Sequence, residues 1–302
     1  MPMDRPVVVG VDGSPSSLVA AEHGAHAALL RSRPLLLVHG YLHPLGYGVP
    51  LNPYDLGVPA PTDQSRKMVE RTAADLADRW PGLAVEARQV AGGPGATMVE
   101  ESRRADLVVV GSRGLGGFAG LLLGSVGAQV AAHAHCPVLV VRPDEQPIDA
   151  DAPVLVGVDG SESSRLAVGY GATEAALRDV PLVLAHVGPL DGDRPVPDEV
   201  EEAQAAYQAE AVRLLAEAVR LLAEASAAVR TGHPDLVVRE HPVRAAGAAP
   251  GLIEASGTAS LLVVGTRGRH GFAGLLLGSV SQAAIQHARC PVLVAHPYDP
   301  PR

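Results

Sequence analysis

The chain has 302 residues, of which 47% are hydrophobic, 19% charged and only 3% aromatic, and its formal net charge is −9. That length fits two domains with cores built from Val, Leu, Ala and Ile, and the acidic balance argues against nucleic acid or an anionic membrane as the main partner. No apolar run approaches the length that spans a bilayer, and the opening MPMDRPVVVG lacks the basic-then-apolar pattern of a secretory signal.

The first predicted element is a strand that opens PVVVGVDGSPSS (Pro6 to Ser17). A helix follows, and then a second strand, Pro34-Leu-Leu-Leu-Val-His39. Tyr41 to Thr62 holds several Pro and Gly residues and reads as an irregular loop. After it come helix, strand, helix and the apolar run Leu107-Val-Val-Val-Gly111, which leads into a glycine-rich loop. A last helix and the strand Pro137-Val-Leu-Val-Val141 close the series. Such short, nearly continuous apolar runs suit parallel strands buried on both faces, and their alternation with helices implies right-handed crossovers.

The series then repeats. PVLVGVDGSESS (Pro153 to Ser164) and the strand ending at His186 match the first half at an offset of 147; by the glycine loop the offset is 154. The added residues point to the region that holds VRLLAEA twice in succession, Val212 to Ala218 and Val219 to Ala225. A seven-residue duplication preserves a helical face, and 198–228 is expected to form one long helix. The decapeptide GFAGLLLGSV occurs unchanged at Gly117 to Val126 and at Gly271 to Val280. The chain is therefore expected to be α/β, with two tandem doubly wound parallel-sheet domains over 1–142 and 151–302 and a polar, proline-bearing linker at 143–150.

In a doubly wound sheet, ligands bind at the carboxyl ends of the strands. Both glycine loops lie there with the spacing G-x2-G-x9-G-S, giving Gly111, Gly114, Gly124 and Ser125, then Gly265, Gly268, Gly278 and Ser279. A glycine-rich turn leading to a helix N-terminus is a phosphate-binding geometry; a packing turn is the competing reading. The serines at 125 and 279 can cap the last helix or meet phosphate oxygens. Asp12 and Asp159 end the first strands, where a carboxylate can accept from a ribose or base or make an Asx turn. Arg113 and Arg267 can bridge phosphates or stand in solvent. His39 and His186 form no metal-ligand set with their sequence neighbours and are expected to be half-buried and hydrogen-bonded. Cys136 and Cys290, each before a proline at matching repeat positions, are expected to be buried thiols in a reducing cytoplasm.

Other motifs are missing. Lys67 is the only lysine, so there is no Gly-x4-Gly-Lys-Ser/Thr loop. No Gly-x-Gly-x-x-Gly follows the first strand, and no serine elbow, HExxH or paired-acid arrangement stands out. No catalytic residue and no metal ligand is assigned.

The GVDGS strand end, the strand ending in His and the G-x2-G-x9-G-S loop together resemble the universal stress protein family in its tandem, ATP-binding form, as in actinobacteria. The resemblance covers roughly residues 6–142 and 153–296. It implies a five-stranded parallel sheet per domain, of the adenine-nucleotide alpha-hydrolase-like type, with ATP across the strand ends. Asp12 and Asp159 would then lie beside the adenosine. The backbone of Gly40 and Val187 would meet adenine, and Gly111 and Gly265 would lie near the ribose. The phosphates would be held by Gly114, Gly124, Ser125 and Val126 in one half and by Gly268, Gly278, Ser279 and Val280 in the other, with Mg accompanying them.

Members of that family often pair through their last strands, which the two domains of one chain could do with each other; two chains could associate further, and the sequence does not decide between monomer and dimer. Gly40 departs from the usual apolar residue, and Ser260 stands where the first half has Asp106; both make the two sites unequal in expectation. The leading function is a cytoplasmic nucleotide-dependent regulator of stress response or growth. A slow ATPase or nucleotidyl-transfer enzyme is the alternative, and a ligand-free interaction module is a third.

Overall fold

The computed structural model describes residues 5–41, 63–115, 123–143, 151–189, 201–268 and 276–298. The loop expected at 41–62, the linker at 143–150 and most of the repeated decapeptide lie outside the described residues. Met1–Glu145 and His296–Arg302 group into one compact unit, and Gln146–Ala295 into a second.

The first unit runs β1 (Val7–Gly10), α1 (Pro15–Leu30), β2 (Leu35–Tyr41), α2 (Asp63–Arg79), β3 (Val85–Ala91), α3 (Pro94–Glu101), β4 (Leu107–Gly111), α4 (Ser125–His133) and β5 (Val138–Val141). Its strands are ordered β3-β2-β1-β4-β5, and every pairing is parallel. The second unit runs β6 (Val154–Gly157), α5 (Glu162–Arg178), β7 (Leu182–Pro189), α6 (Glu201–Gly232), β8 (Val238–Ala245), α7 (Ala248–Ala255), β9 (Leu261–Gly265), α8 (Ser279–His287) and β10 (Val292–Ala295). Its order is β10-β9-β6-β7-β8, again parallel throughout. Both are doubly wound sheets, as the alternating pattern predicts.

Burial explains the strand sequences. Val7, Val8 and Val9 of β1 and Leu107, Val108 and Val109 of β4 are all buried, because helices cover both faces of these central strands. The flanking strands β3 and β8 are polar and largely exposed along their length, as strands at a sheet border are. Helix α1 starts where Ser14 accepts the Ser17 amide and Pro15 takes the first turn; α5 starts in the same way at Ser161 with the Ser164 amide. Gly24 and Gly171 let these helices lie directly on the sheet, since a β-carbon at either position would run into Val9 or Val156.

Helix α6 has 32 residues against 17 in α2. Its second VRLLAEA copy supplies buried Leu221 and Leu222, whereas Leu215 of the first copy is exposed. Both copies contribute to packing, since Ala218 of the first is also buried, while Val219 of the second is exposed. The described helix runs from 201 to 232, four residues past the expected end at 228, and 198–200 lie outside the described residues. Among the described residues no helix is long and apolar enough to cross a membrane.

Candidate functional site

The strand order places β1 beside β4, with their crossover connections leaving in opposite directions. A cleft opens at the carboxyl ends of such a pair. In the first unit it is a cavity of about 470 Å³ lined by Asp12, His39, Gly40, Arg113, Gly124 and Val126, with Gly111, Gly114 and Ser125 also on its wall. The matching cleft of the second unit, between β6 and β9, is lined by Asp159, His186, Val187, Gly265, Arg267, Gly268 and Val280. Gly278 and Ser279 border α8 beside it. Residues spread over more than a hundred positions in each half are therefore gathered at one place.

The carboxylate of Asp12 is a loop anchor. Its Oδ1 accepts the Ser14 amide at 3.0 Å and its Oδ2 accepts the Leu115 amide at 2.9 Å. The first bond is the Asx turn; the second ties the glycine loop to the end of β1. Burial alone would raise the pKa of this acid, but hydrogen bonds from Ser14, Leu115 and Ser17 outweigh it and hold the carboxyl below its usual range. Asp159 repeats the turn, accepting the Ser161 amide at 2.9 Å and the Ser161 hydroxyl at 2.6 Å.

The glycines divide by physical cause. At 114 and 268 a β-carbon would lie 2.5 and 2.6 Å from the Oδ2 of Asp12 and Asp159, so the anchor itself demands glycine there. Gly111 and Gly265 are likewise pressed against the backbone of Ser16 and Ser163. Gly124 and Gly278 differ. Their backbones are extended, a conformation open to any residue, and among the described residues a β-carbon would meet nothing closer than 3.4 Å. Gly124 lies on the wall of the first cleft, and no described neighbour forces a glycine at either position.

Gly124 and Gly278 are also the N-caps of α4 and α8, and neither makes a side-chain cap bond. The expectation that Ser125 and Ser279 cap these helices is corrected: each is the first helical residue. A serine one position too late cannot fold back onto the N2 or N3 amide. The first amides of α4, on Ser125, Val126 and Gly127, have no acceptor within the helix and lie at its positive end.

His39 and His186 are half-buried, and each places Nδ1 at 2.7 Å from a carbonyl, that of Val11 or Val158. A carbonyl only accepts, so Nδ1 carries the proton in both. Arg113 and Arg267 are exposed at the cleft mouths. His133 closes α4 with Nδ1 on the Gln129 carbonyl at 2.9 Å. Cys136 and Cys290 are buried and outside any disulfide, as expected; burial first, then Asp106, pushes the Cys136 thiol up to about 12. Ser260 has taken a structural role, donating to the Ala152 carbonyl at 2.8 Å, while Asp106 pairs with Arg31. Among the described residues no group of three or more His, Cys, Asp or Glu could hold a metal ion.

Several cleft residues were not singled out from sequence. Ser16 and Ser163 accept the amides of Arg113 and Arg267 and fasten the loop from below. Their signal was present, in the serine pair shared by DGSPSS and DGSESS. Met98 and Leu252 also line the clefts. They come from α3 and α7, whose sequences have little in common.

Comparison with known proteins bears on the family and the fold. The model of the universal stress protein family matches residues 3–142 and again 152–296. Universal stress protein Rv2623 of Mycobacterium tuberculosis is 38% identical over 301 residues, covering 96% of this chain and 95% of that one. A universal stress protein of Mycolicibacterium smegmatis is 35% identical over 300 residues, covering 96% and 97%. Among solved structures, a universal stress protein from Archaeoglobus fulgidus superposes with a TM-score of 0.65 at 19% identity, covering 98% of this chain and all of that one. A protein described as functionally unknown from Pseudomonas aeruginosa gives a TM-score of 0.61 at 18% identity, covering 99% and 94%.

Proposed function

The chain belongs to the universal stress protein family, and from that premise we propose that it binds ATP or a related adenine nucleotide in the strand-end clefts and acts as a nucleotide-dependent regulator of stress response or growth. One observation carries this reading. Gly124 and Gly278 are glycines that no described neighbour requires, set at helix N-termini that lack a side-chain cap and border the clefts. Such a terminus offers unpaired amides and a positive dipole to an anion.

In this reading the amides of Ser125 and Val126, with the Ser125 hydroxyl, hold phosphate oxygens, and Ser279 and Val280 do so in the second unit. Arg113 and Arg267 add charge at the mouths. Gly111, Asp12 and the end of β2 at Gly40 line the nucleoside end, with Gly265, Asp159 and Val187 as their counterparts. Both oxygens of Asp12 are engaged by amides, so Mg would travel on the phosphates rather than on a protein cage. The activity proposed is binding, without turnover. The protein is read as cytoplasmic, in keeping with its two thiols outside any disulfide, and as capable of forming dimers.

Calorimetric titration of nucleotide-stripped, full-length protein with ATP and Mg tests the proposal. Saturable binding with at most two sites per chain is expected. Folded protein that gives no binding heat, with ATP, AMP or a cyclic nucleotide, overturns it.

A further inference from the structure

The two clefts descend from one repeated pattern, yet they are not the same size. The first encloses about 470 Å³ and the second about 90 Å³. Small-molecule sites run from roughly 300 to 1,000 Å³, so only the first has the room of a preformed nucleotide site.

Three exchanges on the walls distinguish the two clefts. At the end of β2, Gly40 lets the start of α3 close in, the Pro94 backbone lying 2.8 Å from where its β-carbon would be, so no side chain from this position enters the cleft. At the end of β7 the counterpart is Val187, whose methyls fill the gap to α7; a β-carbon on Gly251 would come within 2.9 Å of them. Along the neighbouring helices, unbranched Met98 is matched by branched Leu252. On the opposite wall, Gly127 is matched by Ser281, which donates to the Gly265 carbonyl at 2.6 Å and clips α8 to the end of β9. No side chain at 127 can make that clip. The second cleft is thus both filled and fastened.

We propose that the two sites are unequal, the first unit being the tight adenine-nucleotide site of the chain, and the second binding at least about tenfold more weakly because it must open first. This rests on the nucleotide-binding reading above. A site that is competent only part of the time loses affinity in proportion to that fraction, and the Ser281 clip and Val187 packing both favour the closed form.

Titration of the full-length protein with ATP and Mg tests it. Two binding steps separated by at least about tenfold are expected. Gly124→Leu, tolerated by the extended backbone there, removes the tight step. Gly278→Leu removes the weak step. The double replacement Val187→Gly with Ser281→Gly strengthens the weak step and brings the two together. Two equal sites in the wild type, or loss of the tight step in Gly278→Leu, refutes the asymmetry while leaving nucleotide binding intact. Absence of any binding refutes both.

Discussion

Replacing Asp12 by Asn isolates the loop anchor. The substitution keeps one oxygen for the Ser14 amide but turns an NH2 group toward the Leu115 amide, so the 2.9 Å bond at Oδ2 is lost. A hydrogen bond to a charged acceptor contributes about 1.5–3 kcal/mol, and the exposure of Leu115 puts this one at the low end, so a loss of about 1–2 kcal/mol is expected. Urea unfolding followed by tryptophan fluorescence measures it cleanly. Trp80 is the only tryptophan, belongs to the first unit, and donates Nε1–H to Glu22 Oε2 at 3.1 Å. The effect also has a pH signature. The folded pKa of Asp12 is lowered, so its contribution is present above the unfolded value, near 4, and fades as the pH falls through the folded one. The gap between wild type and Asp12→Asn should be full at pH 7 and shrink toward pH 3. Equal midpoints at pH 7, or a gap unchanged at pH 3, would show that the carboxylate does not anchor the loop.

Two further outcomes are expected. His296 groups with the first unit, where its Nε2 lies 2.9 Å from the Ala131 carbonyl, and burial pulls its pKa down from 6.5 to about 4. The unfolded chain binds this proton first, so stability should fall as the pH drops from about 6.5 to about 4, by up to about 3 kcal/mol; in His296→Gln, denaturation midpoints should lose that part of the acid slope. Gly24→Ala should destabilise by about 1–3 kcal/mol despite the better helix propensity of alanine, because its methyl strikes Val9. Adding Val9→Ala should recover part of that loss in a double-mutant cycle, and strictly additive losses would mean the two residues do not touch.

Much of this molecule was legible in its sequence because its signals are local or repeated. The parallel sheets follow from apolar runs such as Val7–Val9 and Leu107–Val110, whose continuity is what two-sided burial requires. The half-buried histidines and the buried thiols also follow, since each occurs at one place in both halves. The role of Ser125 did not follow. Capping depends on a one-residue register at the helix start, and a Gly-Ser pair leaves that register open between Gly124 and Ser125.

Chain chemistry alone determined the duplication, the doubly wound class and the gathering of Asp12, Gly111 and Gly124 at strand ends, because connectivity fixes which ends meet. Tertiary structure decided why each glycine is there. Gly114 makes room for the Asp12 carboxylate, whereas no described neighbour requires Gly124 to lack a side chain; the letters are identical, and only the distances to surrounding atoms separate the two. It also decided the sizes of the two clefts, about 470 Å³ and about 90 Å³. Cleft volume is set by residues from separate helices, Met98 and Gly127 against Leu252 and Ser281, which no local pattern brings together.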